Sequence, residues 1–310
     1  MPDTLVSTAW VADQLATSSN QAASSPTSKT RPRPAIQAAP APTARPQTIM
    51  PRPATKILES SSTRLDGYAA AHIPGALVID WLRDLVDRDD ESSGLVIDPQ
   101  RFAALASSLG IQPDDTLIFY GDMGGRHAAR ALWTFEYYRH PGDLHLMDGG
   151  REAWLREGRP MTADAPDIVP SRYPLPPAPD GALRATRDDI TAALGSANFV
   201  PLDTRTRDEY DAQDIRAARG GRIPGATHVF WKDNVAEDAT FKPKAELEQL
   251  YAAIPRDATV ATYCQLGMRA AHTWFVLRHV LGYPNAQNYD GSWAEWGNES
   301  ETIIENETAP

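Results

Sequence analysis

Residues 263–275, YCQLGMRAAHTWF, align without gaps on residues 120–132, YGDMGGRHAARAL, and this match decides the fold. Two further blocks repeat around it in the same order. Residues 72–81 (HIPGALVIDW) and 222–231 (RIPGATHVFW) precede it, and residues 146–154 (LMDGGREAW) and 288–296 (NYDGSWAEW) follow it. Three blocks matched in one order mark a duplicated unit.

Working outward, each copy has the same coarse pattern. A short apolar run, KIL at 56–58 or FVPL at 199–202, leads to a helix bearing Tyr68 or Tyr210 and then to the IPGA turn. After a second short strand comes a helix, predicted over 99–109 and 243–252. A buried strand (DDTLIFY or DATVATY) then enters the glycine-containing loop and an amphipathic helix, predicted over 127–138 and 270–281. Strands alternating with helices of this length imply an α/β fold: two tandem domains, each a mostly parallel sheet with helices on both faces. In such sheets ligands bind at the carboxyl ends of the strands, which is where the repeated loop lies.

The chain's 310 residues suit two ordinary domains, and 42% hydrophobic content is enough to build their cores. One cysteine excludes an intramolecular disulfide, a CxxC redox pair and any zinc site needing two thiolates. No run approaches the ~18 apolar residues of a membrane span, and the first residues lack the pattern of a secretory signal. We therefore expect a cytoplasmic protein with no membrane partner. The net charge of −11 argues against nucleic acid as a partner. That charge is uneven. Residues 14–58 hold no Asp or Glu but six basic residues, so the rest of the chain is more acidic than the total. Residues 17–54 are built largely of Ala, Ser, Thr, Gln and Pro, too poor in large apolar groups to offset the entropy of ordering, and read as a disordered insert. An organelle transit peptide would share that composition, but LVSTAWVADQL at 5–15 already reads as folded sequence ahead of it. Six prolines within residues 166–179 form a second break, suited to an extended connector. The expected domains are 1–165, carrying the insert, and 181–310, joined by a linker over 166–180.

Cys264 opens the second copy of the loop, between a buried strand and a helix. Backbone N–H groups of a tight loop and of a first helical turn point at one place and stabilise negative charge on sulfur. Gly267 lets the backbone turn inward, and Arg269 supplies a planar cationic fork suited to an oxyanion. A lone cysteine at a strand end is ordinarily a small buried hydrophobe; the C-x-x-G-x-R spacing in this setting favours a nucleophile. The repeat is an internal control. Gly124 and Arg126 persist in the first copy, but Gly121 stands where the cysteine would be. The first half is therefore expected to be chemically silent.

These blocks, with VPLDTRTRDEY at 200–210 and LVSTAW at 5–10, resemble the tandem-domain rhodanese family of the thiosulfate sulfurtransferase type. The resemblance implies a nucleophilic Cys264 in the C-terminal domain and an inactive N-terminal domain. It implies a substrate held by the loop residues Gln265, Leu266, Gly267 and Met268 and by Arg269, with no metal and no cofactor. The donor would be a small sulfur-containing anion, the acceptor cyanide or a thiol, and the protein a monomer. Arg205 matches the family arginine that follows the strand beneath the loop, although a solvated surface charge is the plainer reading of the residue. Glu209 stands where many relatives carry a second arginine, which disfavours a 3-mercaptopyruvate enzyme. Arg222 replaces the usual histidine of the HIPGA turn, kept as His72 in the first half, and a structural role is expected for both. Trp81, Trp231, Trp293 and Trp296 are expected in the core.

A cysteine phosphatase or arsenate reductase would need a loop one residue longer between Cys and Arg to hold a tetrahedral oxyanion. A non-catalytic binding module of the same fold would lack the cysteine. The prolines of residues 17–54 could present a polyproline helix to a partner, although a tolerated surface insertion is the simpler account.

Overall fold

Alternation along the strands sets the architecture. The computed structural model describes residues 4–23, 53–61, 65–87 and 94–306. The first half runs β1 (Leu5–Val6), α1 (Thr8–Ala23), β2 (Thr55–Glu59), α2 (Asp66–Ala70), β3 (Leu77–Val78), α3 (Trp81–Asp84), α4 (Pro99–Ser108), β4 (Thr116–Tyr120), α5 (Arg126–Tyr137), β5 (Leu144–Met147) and α6 (Gly150–Arg156). The second runs α7 (Arg187–Ala193), β6 (Phe199–Asp203), α8 (Arg207–Tyr210), β7 (Thr227–His228), α9 (Lys244–Leu250), β8 (Thr259–Tyr263), α10 (Met268–Phe275), β9 (Ala286–Asn288) and α11 (Ser292–Trp296).

The strand orders are β1-β5-β4-β2-β3 and β7-β6-β8-β9. Every strand pairing within these sheets is parallel. Side chains at alternate positions point to opposite faces. Leu117 and Phe119 of β4 therefore join one core, and Ile118 and Tyr120 join another. On β8, Val260 faces the first of these cores while Ala261 and Tyr263 enter a third with Trp293 and Trp296. Each sheet is thus covered on both sides. The shared core runs through α5 and α10 and joins the two halves without a break.

The repeat persists down to single hydrogen bonds. Tyr68 donates to the Ala76 carbonyl at 2.6 Å, and Tyr210 to that of Ala226 at 2.8 Å. His72 stacks on Tyr68 and pairs its backbone with Thr162; Arg222 lies over Tyr210 and pairs with Glu305 in the same antiparallel way. Arg222 thus does structurally what His72 does, and its added charge is met by the Glu305 carboxylate. The four tryptophans named above are all buried.

Two expectations need correction. Residues 17–23, read as the start of a disordered insert, are the last two turns of α1; the rest of that segment to residue 52 lies outside the described residues. The helix predicted over 270–281 starts earlier and changes character, with α10 giving way after Phe275 to a wider π-type turn over Val276–Leu281. Gly282, in the left-handed region, ends it. Residues 163–177 form no helix or strand. Among the described residues no helix is long and apolar enough to cross a membrane.

Candidate active site

Cys264 follows β8 directly, at the carboxyl end of a strand that is almost wholly buried. The loop is fastened from the α11 side. The amide N–H groups of Trp293 and Ala294 donate to the carbonyls of Cys264 and Gln265, each at 3.0 Å. The Cys264 N–H donates to Ser292 Oγ at 3.0 Å, and that hydroxyl donates onward to the Tyr289 carbonyl. Gly267 sits at φ 71°, and a Cβ there would fall 2.6 Å from the Asp290 backbone and 2.7 Å from Arg130 Nη1, so no other residue fits.

The carbonyls of Cys264 and Gln265 are thus tied back, while the N–H groups that follow are not. Among the described residues, the amides of Gln265 through Ala270 donate to no protein acceptor. The first turn of a helix always leaves such donors; here a loop extends the set around one sulfur, and together they form a preorganised site for negative charge. No cluster of three or more metal-ligating side chains occurs among the described residues.

Arg269 closes the loop and is nearly buried. Its two Nη atoms donate to the two carboxylate oxygens of Glu209 at 2.7 and 2.8 Å. Burial works against the guanidinium charge, but Glu209 and the Cys264 sulfur, within hydrogen-bonding reach, hold it protonated more firmly than usual. Glu209 is fixed in turn by a capping box with Thr206 at the start of α8. Burial pushes its carboxyl up, but Arg269 and Thr206 outweigh that and hold it at about 2.

Gln265, Leu266, Gly267, Met268 and Arg269 therefore lie together around Cys264. Gln265 Nε2 donates to the Arg216 carbonyl on the rim, and Leu266 and Met268 pack half-buried against the shared core. Arg205 is different. Expected against the substrate, it is instead 1% exposed, paired with Asp203 at 2.6 Å, donating to the Gly221 carbonyl and stacked 4.3 Å from Trp293. Its charge is neutralised in the core beneath the loop, where it positions β6 and α11. The pairing of Glu209 with Arg269, and the parts played by Ser292 and Arg130, escaped the sequence reading. The Thr206-x-x-Glu209 capping signature could have revealed the first; nothing local marks the other two.

The first half's copy of the loop is closed. A Cβ at Gly121 would lie 2.2 Å from the Ser60 carbonyl oxygen, so a cysteine side chain has no room. Two of its amides are also taken. The Met123 N–H donates to Glu152 Oε1 at 2.6 Å and the Gly125 N–H to the Asp122 carbonyl. A carboxylate of the protein thus takes an amide of the first loop, and its counterpart in the second half is Ala294, which has no carboxylate to do the same. Gly121→Cys introduced into a Cys264→Ser background is therefore expected to take up no sulfur from thiosulfate and to lower the unfolding midpoint. Intact-mass measurement and a thermal melt check both.

A profile of the Rhodanese-like domain matches residues 52–157 and 186–299. The chain belongs to the rhodanese family. This rhodanese is 41% identical over 256 residues to a protein of Corynebacterium glutamicum named thiosulfate sulfurtransferase, covering 79% of this chain and 83% of that protein. It is 41% identical over 247 residues to a sulfur carrier protein, TtuD, of Thermus thermophilus, covering 74% of this chain and 84% of that one. The anaerobic ergothioneine biosynthesis enzyme of Chlorobium limicola, solved with trimethyl histidine, superposes with a TM-score of 0.75 at 22% identity, over 85% of this rhodanese and 67% of that chain. At that identity the likeness speaks for the fold alone.

Proposed function

We propose that this enzyme moves the sulfane sulfur of thiosulfate to a thiophilic acceptor, cyanide or a cellular thiol, through a persulfide on Cys264. The observation that supports this reading is the contrast between the two loops: in one, the Met123 amide is taken by Glu152; in the other, the amides that follow the chain's one cysteine have no protein acceptor among the described residues. The Cys264 thiolate attacks the outer sulfur of thiosulfate. A new S–S bond forms, the old one breaks, and its electron pair leaves with sulfite. The terminal persulfide sulfur carries the charge within reach of the loop amides. The acceptor then takes that sulfur and returns the thiolate, so the two steps balance without any outside oxidant. Double displacement needs no second thiol. Preorganised donors of this kind are worth roughly 3 kcal/mol each in a transition state.

Thiosulfate is favoured over 3-mercaptopyruvate because the position of a possible carboxylate clamp holds Glu209, already committed to Arg269. Incubation with thiosulfate is expected to add one sulfur atom at Cys264, which cyanide removes stoichiometrically, with kcat/KM for thiosulfate exceeding that for 3-mercaptopyruvate. A mass unchanged by thiosulfate, or the reverse donor order, refutes this reading.

A further inference from the structure

The two copies of the loop face each other. The Gly124 carbonyl of the first pairs with His272 Nε2 of α10, and the Gly267 carbonyl of the second accepts from Arg130 of α5. Gly124 and Gly267 are the same position in the repeat, so each half's loop carbonyl is held by the other half's helix, though by different residues. This arrangement puts Arg126, the first half's counterpart of Arg269, over Trp231 of the second half and within electrostatic range of Arg269 and the Cys264 sulfur.

Most arginines near Cys264 are already neutralised. Arg269 is paired with Glu209, Arg205 with Asp203, Arg184 with Asp290 and Arg216 with Asp214. Arg130 is fully buried and donates to the Gly94 and Gly267 carbonyls, so no ligand can reach it. Arg126 has no carboxylate within ion-pair distance among the described residues. Its guanidinium lies 5.4 Å over the Trp231 ring of the second half, Nη2 is 3.2 Å from Met123 Sδ, and Nε is buried without a partner. Met123 and Trp231 also line a cleft of about 290 Å3 between the halves. Burial and the neighbouring Arg269 charge oppose its protonated form, while Asp122 and the Cys264 sulfur favour it. A half-buried cation with an unmet donor and no counterion is unusual unless an anion completes it.

We infer that Arg126, supplied by the silent domain, binds the oxyanion end of the sulfur donor, the SO3 group that leaves as sulfite, while the Cys264 loop receives the transferred sulfur. The inference rests on the thiosulfate reading above. It gives the inactive half a part in catalysis: the copied arginine binds the anion that the copied loop, with its Met123 amide taken by Glu152, no longer does.

The test uses Arg126→Ala and Arg126→Lys in the full chain, with thiosulfate as donor and sulfite as product inhibitor. The alanine variant is expected to raise the KM for thiosulfate and the inhibition constant for sulfite together, roughly 10- to 100-fold for loss of a charge-assisted contact, and lysine to restore part of each. Discharge of preformed persulfide by cyanide, alkylation of Cys264 by neutral iodoacetamide and the unfolding midpoint are expected to stay close to wild type. An unchanged KM overturns the assignment. So does a parallel fall in alkylation, which would mean that Arg126 acts on the thiolate, or a matching loss of stability, which would mean a structural role. Failure of the wild type to take up sulfur overturns the thiosulfate reading itself, and the assignment with it; uptake by the wild type with an indifferent Arg126→Ala overturns only the latter.

Discussion

Cys264→Ser is expected to abolish sulfur uptake from thiosulfate and to lower turnover by roughly 10^4-fold or more, with the fold intact. The substitution keeps the size of the side chain and leaves the backbone bond from residue 264 to Ser292 in place. What it removes is a group that can ionise near neutral pH. The loop amides can draw a thiol toward its anion, but a hydroxyl starts too far above that range for dipoles alone. Nor, among the described residues, is an imidazole hydrogen-bonded to residue 264 to help it. His272, the imidazole of the helix behind the loop, holds the Gly124 carbonyl, and burial pushes its pKa down to about 3. Among the described residues the site thus pairs no imidazole with residue 264, unlike a serine–histidine pair in which the base creates the nucleophile. Intact mass after thiosulfate and a coupled sulfite assay measure the two effects, and an unfolding midpoint within a few degrees of wild type assigns the loss to chemistry. Serine that carried sulfur as well as cysteine would place the nucleophile elsewhere, and the chain has no second thiol to offer.

The duplicated fold and the placement of the Cys264 loop between a buried strand and a helix were legible in the sequence because both depend on local signals. Strand-to-loop-to-helix order, the C-x-x-G-x-R spacing and the glycine at 267 are set within a dozen residues. The missing cysteine at 121 was equally plain. What sequence spacing could not reveal was where each arginine's charge goes. Arg205 reads as a site residue from its place after β6, yet its neighbour Asp203 turns the guanidinium into the core. Arg126 and Arg269 occupy equivalent positions, but Arg269 meets Glu209 from α8 whereas Arg126 lies over Trp231 of the other half. Glu209 lies 60 residues from Arg269 and Trp231 lies across the interface between halves from Arg126, and no periodicity encodes either. The closed first cradle was hidden for the same reason: only the packed backbone brings Ser60 against Gly121 and Glu152 onto Met123. The start of the insert was misplaced because Ala, Ser, Thr and Gln permit a helix once its first turns are anchored, as α1 is by Val11 in the core.

Breaking the Glu209–Arg269 pair is expected to give the largest stability change of any single substitution around the loop. Glu209→Ala leaves a nearly buried guanidinium without its counterion, a situation that costs about 3–5 kcal/mol. The pH dependence gives an independent figure. The carboxyl is held at about 2 against an ordinary 4.5. A depressed pKa contributes stability that is fully present above the unfolded value and is lost as pH falls through the folded one. The pair's contribution, about 3 kcal/mol at neutral pH by linkage, should therefore decline from about pH 4.5 and vanish near pH 2. Glu209→Gln removes that slope, so its stability and that of the wild type should converge toward pH 2; denaturant melts across this range test it, and parallel curves would show that the carboxylate is not the titrating partner. Turnover separates the pair's two roles. Replacing both charges, Glu209→Gln with Arg269→Met, removes the unpaired guanidinium and should recover most of the stability, since buried ion pairs can be exchanged for neutral groups of similar volume at little cost. It should not recover sulfur transfer, because the cation within hydrogen-bonding reach of the Cys264 sulfur is gone. A double variant that regained both would make Arg269 a structural residue, and the loop amides alone would then have to hold the transferred sulfur.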